Sequence, residues 1–336
     1  ESPESCFDQL SRTPWQEQLA GDPRTWPELI SFCQQIRPVA SVDDHRGCAA
    51  NSLRCAVELA ILDAFGKTLG EPVANVTRHD SLATNICGYR DQVRYSAAIG
   101  SGPGKRLRLA ALKMRLYGFE QCKVKVGAGG DDVRRLRRIR NWIGPHVDLR
   151  IDANEAWSAD ELQNRLEPLA QFDISSVEQP CPHGQLAQLA AVRPDLPMPV
   201  MLDESLTSEA DAQRAIQIGA CDLFNLRLSK CGGFLACLRL AARAESAGIA
   251  YQLGCHPGES GILSAAGRHW ASSVAKIRYL EGSYDRHLFR RLITNEDLTF
   301  GYAGRAPALK SPGLGISINE RELADVTIRQ ASFPLA

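Results

Sequence analysis

Along the chain, the pattern of apolar positions changes character near residue 91. Before it, "DPRTWPELISFCQQI" and "CAANSLRCAVELAILDAFGKTLG" carry apolar residues three and four positions apart. That is the spacing of helices with one buried stripe, and the second is expected to stop at Gly70. Residues 76–90 show neither period and read as irregular. After it, short β-type runs alternate with helical runs. The strand-type runs are "RYSAAI" (94–99), "QCKVKV" (121–126), "VDLRID" (147–152), "ISSVEQ" (174–179), "PVMLDE" (199–204), "LFNLRL" (223–228), "AYQLGC" (250–255) and "IRYLEG" (277–282). Seven helical stretches, from "GKRLRLAALKMRLYG" to "GILSAAGRHWASSVA", lie between them, each long enough to cross back over a sheet.

Eight strands with seven crossovers predict an α/β fold built on a parallel sheet, most economically a closed (β/α)8-type, TIM-like barrel. An open doubly wound sheet is the alternative, but it usually carries a glycine-rich dinucleotide loop after an early strand. The segment "GSGPGK" follows the first strand without the GxGxxG spacing, and without the Ser or Thr of a phosphate loop. From residue 283 the period breaks: "LTFGYAG" and "GLGISINE" read as short strands with glycine turns. The expected organisation is a capping segment over 1–90, a barrel over 91–282, and a tail over 283–336 that returns to the cap.

Charge and cysteine usage narrow the function. Lys plus Arg equals Asp plus Glu, 39 each, which argues against nucleic acid or an anionic membrane surface as the main partner. No apolar run is long enough to cross a bilayer. The eleven cysteines are odd in number and scattered, with no C-x-x-C pair, the usage expected of reduced thiols in a cytoplasmic protein. No signal-peptide pattern is visible.

Chemistry in a barrel sits at the carboxyl ends of the strands. The second strand ends in "KVKVG", with Lys123 and Lys125 on one face; the third, fourth and fifth end in Asp152, Glu178 and Asp203; the sixth carries Arg227 and then Lys230. Singly, each carboxylate is explained as the cap of the following helix, and "KVKV" as an edge strand with solvated lysines. Together, one β/α unit apart, the three converge and repel unless a cation lies between them. Oxygen-only ligands on a rigid scaffold suit a hard divalent ion, Mg2+ first and Mn2+ second. Weaker candidates for lining the pocket are His256 and Glu259 after the seventh strand, and Glu281, Tyr284 and Asp285 after the eighth. A lone His is more often a satisfied polar residue than a catalyst.

In order and spacing, "KVKVG", "DANEAW", "EQP", "DES" and "LSKCGG" resemble the enolase superfamily, and within it the mandelate racemase/muconate lactonizing enzyme group. The segment "GESGILSAAGRHWA" is similar to that group's segment after the seventh strand, and the resemblance spans roughly residues 45–320. It implies an α+β capping domain over a modified barrel, a small-molecule carboxylate substrate, and a homo-oligomer. Family members begin with several strands and a mobile lid loop ahead of the capping helices; this chain opens at what resembles the point just after them.

The resemblance further implies removal of a proton α to a carboxylate, to give an enediolate stabilised by Mg2+. Asp152, Glu178 and Asp203 would hold the metal. Lys125 would be the base, its pKa lowered by Lys123 and the metal. Asn154 and Glu204 would support the ligands, a role for which plain turn and cap duty is the equal alternative. The group usually presents a second lysine from "N-x-K-x-x-K-x-G-G". Here that position is Arg227, and Lys230 is the motif's later lysine. Arginine stays protonated and is a poor base. The departure favours one-sided chemistry, cycloisomerisation or syn β-elimination, over a two-base racemase or epimerase. Three alternatives for this position are a structural Arg227 paired with Asp203 or Glu204, an unusually tuned Arg227 acting as acid or base, and Lys230 swinging in to replace it. The Asp-x-Asp of dipeptide epimerases after the eighth strand is absent from "EGSYD". A catalytically silent metal-binding relative is the expectation from another class; a two-metal hydrolase would need histidines at the strand ends that are not there.

Overall fold

The computed structural model describes residues 2–40, 44–101 and 104–333, so Gly102 and Pro103 of "GSGPGK" lie outside the described residues. Nine strands occur among the described residues: β1 (Gln92–Arg94), β2 (Ala97–Ile99), β3 (Gln121–Lys125), β4 (Asp148–Asp152), β5 (Ile174–Glu178), β6 (Val200–Leu202), β7 (Leu223–Leu226), β8 (Ala250–Leu253) and β9 (Arg305–Pro307). Strands β2 to β8 form one parallel sheet in sequence order. Every interval expected to hold a crossover contains a helix, from Gly104–Leu116 to Gly261–Ser273.

The eighth strand-type run, "IRYLEG", closes the sheet into a barrel without forming a full ladder. Leu280 makes a parallel bridge to Leu253, Glu281 N–H donates to Leu253 O at 2.9 Å, and on the other side Ser96 N–H donates to Leu280 O at 2.8 Å. Left-handed residues flank this stretch, Lys276 at φ 58° and Ser283 at φ 53°, and they keep its extended part short. The first run, "RYSAAI", is divided between two sheets. Its first residue, Arg94, ends β1, which pairs antiparallel with β9 of the tail, while Tyr95 N–H donates to Gly304 O at 2.7 Å. Among the described residues of the tail, β9 is the one strand; "LTFGYAG" and "GLGISINE" are broken by Ala303 and by Gly304, Gly313 and Gly315, all at positive φ. The 76–90 segment holds one helical turn, Val76–His79.

The cap is helical where the pattern predicts. Helix Trp26–Gln35 starts in a capping box between Thr25 and Glu28, with a proline in its first turn. Helix Asn51–Leu69 stops at Gly70, whose φ of 69° suits glycine. The eleven cysteines are free, and no helix among the described residues is long and apolar enough to cross a membrane.

The barrel interior is layered. Met201, Leu223 and Tyr279 form an apolar plug at one end. Arg150, Ser176, Asn225 and Gln252, each fully buried, form a polar layer. Arg150 lies over the Tyr279 ring, 3.8 Å from its centroid. Above that layer stand the strand-end carboxylates.

Candidate active site

Parallel register brings the strand ends together. Lys125 pairs with Asp152 across β3 and β4, and Asp152 pairs with Glu178 across β4 and β5. Asp203 follows β6 directly. The three carboxylates are 0, 1 and 1 % exposed, burial that a carboxylate tolerates only with cations close by.

Four cations meet them. Lys123 Nζ donates to Glu178 Oε2 at 3.0 Å and to Glu281 Oε2 at 2.8 Å, and lies 3.4 Å from Asp152 Oδ2. Lys125 Nζ donates to Asp152 Oδ2 at 2.7 Å and to Asn154 Oδ1. Arg227 donates to Asp203 Oδ2 and lies 3.6 Å from Glu178 Oε1, so its guanidinium bridges two of the three carboxylates. Lys230 Nζ donates to Asp203 Oδ1 at 2.6 Å, Asp203 O at 2.7 Å and Asn225 O at 3.0 Å. An ammonium has three protons, and all three of Lys230's are used. Lys230 therefore does not swing in for Arg227; it holds Asp203. Arg227 pairs with Asp203 and Glu178, not with Glu204.

The electrostatics follow from burial and neighbours. Burial alone would lower the Lys123 ammonium, but Glu178, Glu281 and Asp152 outweigh it and hold it well above its usual range. The direction is opposite to that of a lysine tuned to serve as a base. Burial raises the Glu178 carboxyl, opposed by Lys123 and reinforced by Asp152. Burial would also raise Asp203, yet Lys230 and Arg227 keep it low. For Arg227, burial is outweighed by Asp203 and Glu178, so it stays protonated.

Most of the weaker candidates join the cluster. Asn154 links Lys125 to Glu204, donating to Glu204 Oε1 at 3.2 Å. Glu281 ties Lys123 to Arg150, whose Nη2 reaches Glu281 Oε1 at 3.0 Å. His256 faces Ser229 Oγ at 3.0 Å through Nδ1, and its backbone N–H donates to Glu259. These two line the edge of the site beside Arg227: burial, helped by Arg227, takes His256 down to about 4, and burial takes Glu259 up to about 7. Tyr284 and Asp285 bond elsewhere, to Ser96 O at 2.9 Å and Ser264 Oγ at 2.8 Å. Two residues of the site were not singled out as candidates in the sequence, although one of them, Asn225, is the asparagine of the quoted motif. Asn225 donates to Glu178 Oε1 at 2.7 Å, and Arg150 buttresses Glu281. Each sits two positions before a named residue along the same extended stretch, so alternation alone would have found it.

Whether this site suits a hard divalent cation turns on its donors. Asp152, Glu178 and Asp203 offer oxygens only, and the shared contacts through Lys123 and Arg227 show that they converge. Among the described residues no three carboxylate, His or Cys side chains stand already grouped around one point. The residues fit by chemistry, with Lys123 and Arg227 as the cations an ion would share them with.

Comparison with known proteins agrees with this architecture. The enolase C-terminal domain-like family matches residues 106–322. The N-succinyl-L-Arg/Lys racemase of Bacillus cereus is 30% identical over 301 residues, 88% of this chain and 77% of the relative. Its crystal structure superposes with a TM-score of 0.83 at 28% identity, covering 98% of this chain and 84% of that one. The L-Lys-D/L-Arg epimerase of Methylococcus capsulatus is 32% identical, over 94% of this chain and 83% of the relative. Muconate cycloisomerase 1 of Rhodococcus opacus is 30% identical, over 80% of this chain and 70% of the relative.

Proposed function

The chain belongs to the enolase superfamily, and on that premise we propose that it removes the α-proton of a small carboxylate substrate through Lys125 and completes the reaction on that same face. The observation that carries this reading is accessibility. Of the four cations at the carboxylate cluster, the side chains of Lys123, Arg227 and Lys230 are 8, 10 and 11 % exposed, whereas that of Lys125 is 41 % exposed. Lys125 is the one a substrate can reach.

A divalent cation held by Asp152, Glu178 and Asp203 would supply positive charge where the substrate carboxylate gains negative charge. The chain's own residues do the rest. Asp152 and Asn154 hold the Lys125 amine in place for proton transfer. Lys123, kept cationic by its three carboxylate neighbours, offsets charge without exchanging a proton. Arg227 stays protonated and tethered, so it contributes a fixed positive charge in place of a second base. Lys125 then returns the proton to the face it came from, or passes it to a group leaving from that face. Cycloisomerisation and syn β-elimination both fit this sequence.

A second reading, racemisation or epimerisation of an amino-acid derivative, is favoured by the relatives, among them an N-succinyl-L-Arg/Lys racemase and an L-Lys-D/L-Arg epimerase. The test is incubation with Mg2+ in D2O and a panel of N-acyl amino acids and unsaturated dicarboxylates, followed by proton NMR and chiral chromatography. One-sided chemistry gives α-exchange or turnover without inversion, and Arg227→Lys then gains inversion. Inversion by the native protein establishes the second reading. No exchange with any acid defeats both.

A further inference from the structure

We propose that Asn51, the first residue of the cap helix Asn51–Leu69, is a positioning residue which holds Lys230 and, through it, Asp203. The proposal rests on the reading of Asp203 and its neighbours as the reaction centre.

The connection is direct. Asn51 is 5 % exposed. Its side-chain amide donates to Lys230 O at 2.7 Å and to Thr207 O at 2.9 Å. One amide group therefore ties the cap to two loops of the barrel, the one that follows Asp203 and the one that follows Arg227. Lys230 spends all its protons on Asp203 and Asn225, so fixing its backbone fixes the cation that holds the carboxylate. About two turns C-terminal to Asn51 lies Glu58, which accepts from Leu235 N–H at 3.1 Å in the first turn of helix Phe234–Ser246. The two contacts bracket the turn that carries Lys230.

The "CGG" turn is shaped for this contact. Gly232 has φ +90° and Gly233 φ +126°. A Cβ on Gly232 would stand 2.7 Å from Asn51 Oδ1, and one on Gly233 2.3 Å from Glu58 Oε1. Glycine is required here because the cap presses its polar side chains onto the backbone of the turn. Simple domain packing needs apolar contact; a buried amide spent wholly on two carbonyls of reaction-site loops fixes geometry.

Three variants test it in the full chain. Asn51→Ala removes both donors. Asn51→Asp keeps the shape and suits a helix N-terminus, but its carboxylate donates to neither carbonyl. Leu53→Ala loosens the cap's small apolar cluster with Trp15 and Ile36 without touching the turn. Free Mn2+ is counted by electron paramagnetic resonance, and kcat and KM for α-proton exchange are measured. Both Asn51 variants are expected to weaken Mn2+ binding and lower kcat about ten-fold with KM little changed, while Leu53→Ala lowers thermal stability only. If the Asn51 variants merely lose stability as Leu53→Ala does, the proposal is overturned. If the native protein neither binds Mn2+ nor exchanges protons, the proposed function has failed instead. Amide hydrogen exchange over residues 228–235 then decides: faster exchange in Asn51→Asp than in Leu53→Ala supports the positioning role, and equal rates refute it.

Discussion

Replacing Glu58 by glutamine should reshape the pH dependence of stability. Glu58 is 2 % exposed, and burial raises its carboxyl from 4.5 to about 7 although Leu235 N–H and Arg54 oppose the rise. A raised carboxyl pKa means that the folded protein favours the protonated form. That contribution is complete below pH 4.5 and is lost as pH climbs through about 7. At about 1.4 kcal/mol per unit, the fold loses on the order of 2 to 3 kcal/mol at this site between pH 5 and pH 8. Glutamine keeps an oxygen to accept from Leu235 N–H and has no proton to lose. Urea unfolding of both proteins at pH 5 and pH 8 is the measurement. The variant should match the native protein to within about 1 kcal/mol at pH 5 and exceed it by on the order of 2 to 3 kcal/mol at pH 8. Curves that stay parallel would show that Glu58 is ionised at no cost inside the fold, and the account of the cap contact would be wrong.

Other outcomes follow from the same geometry. Lys125→Ala should lower α-proton exchange about 10²- to 10⁴-fold, and should also lower the urea midpoint, because it takes away the cation that donates to the fully buried Asp152. Retained exchange would move the base elsewhere. Gly233→Ala, at φ +126° with its Cβ aimed at Glu58 Oε1, should cost about 1 to 3 kcal/mol or more. Gly70→Ala, at φ +69° with nothing within 4 Å, should cost only about 1 kcal/mol. Comparable losses in the two glycine variants would mean that backbone strain alone, without cap contact, sets the requirement at 233.

The barrel was legible because its signals are local. Strand alternation, helical spacing and the recurrence of acidic strand ends can each be read within one β/α unit, and the Lys125–Asp152–Glu178 register then follows from parallel pairing. The Arg227 departure was legible for the same reason, being a single position in a known motif. Asn225 and Arg150 could have been read from alternation; the other contacts depend on partners far away in the chain. No local pattern says that Glu281 turns its carboxylate to Lys123 and Arg150, or that Asn51 reaches the Lys230 carbonyl. The tail misled for a physical reason: its apolar residues alternate as in strands, but positive-φ positions at Ala303, Gly304, Gly313 and Gly315 break the extended backbone. The eighth strand was placed correctly along the chain, but its pairing is reduced to one bridge by the left-handed residues beside it.

The grip of the cap on the "CGG" turn also sets an order of events at the ribosome. Asn51 and Lys230 are 179 residues apart, Glu58 and Leu235 177, and Asp63 and Leu314 251. At about 5 to 20 residues per second, helix Asn51–Leu69 emerges roughly 10 to 40 s before the turn it seats upon, and later still does it meet the tail. Through that interval Cys55, Leu59 and Leu62, buried in the finished protein together with barrel residues, have no barrel to cover them. That face of the nascent helix waits in the open, which makes it a stretch of the chain that a chaperone would shield.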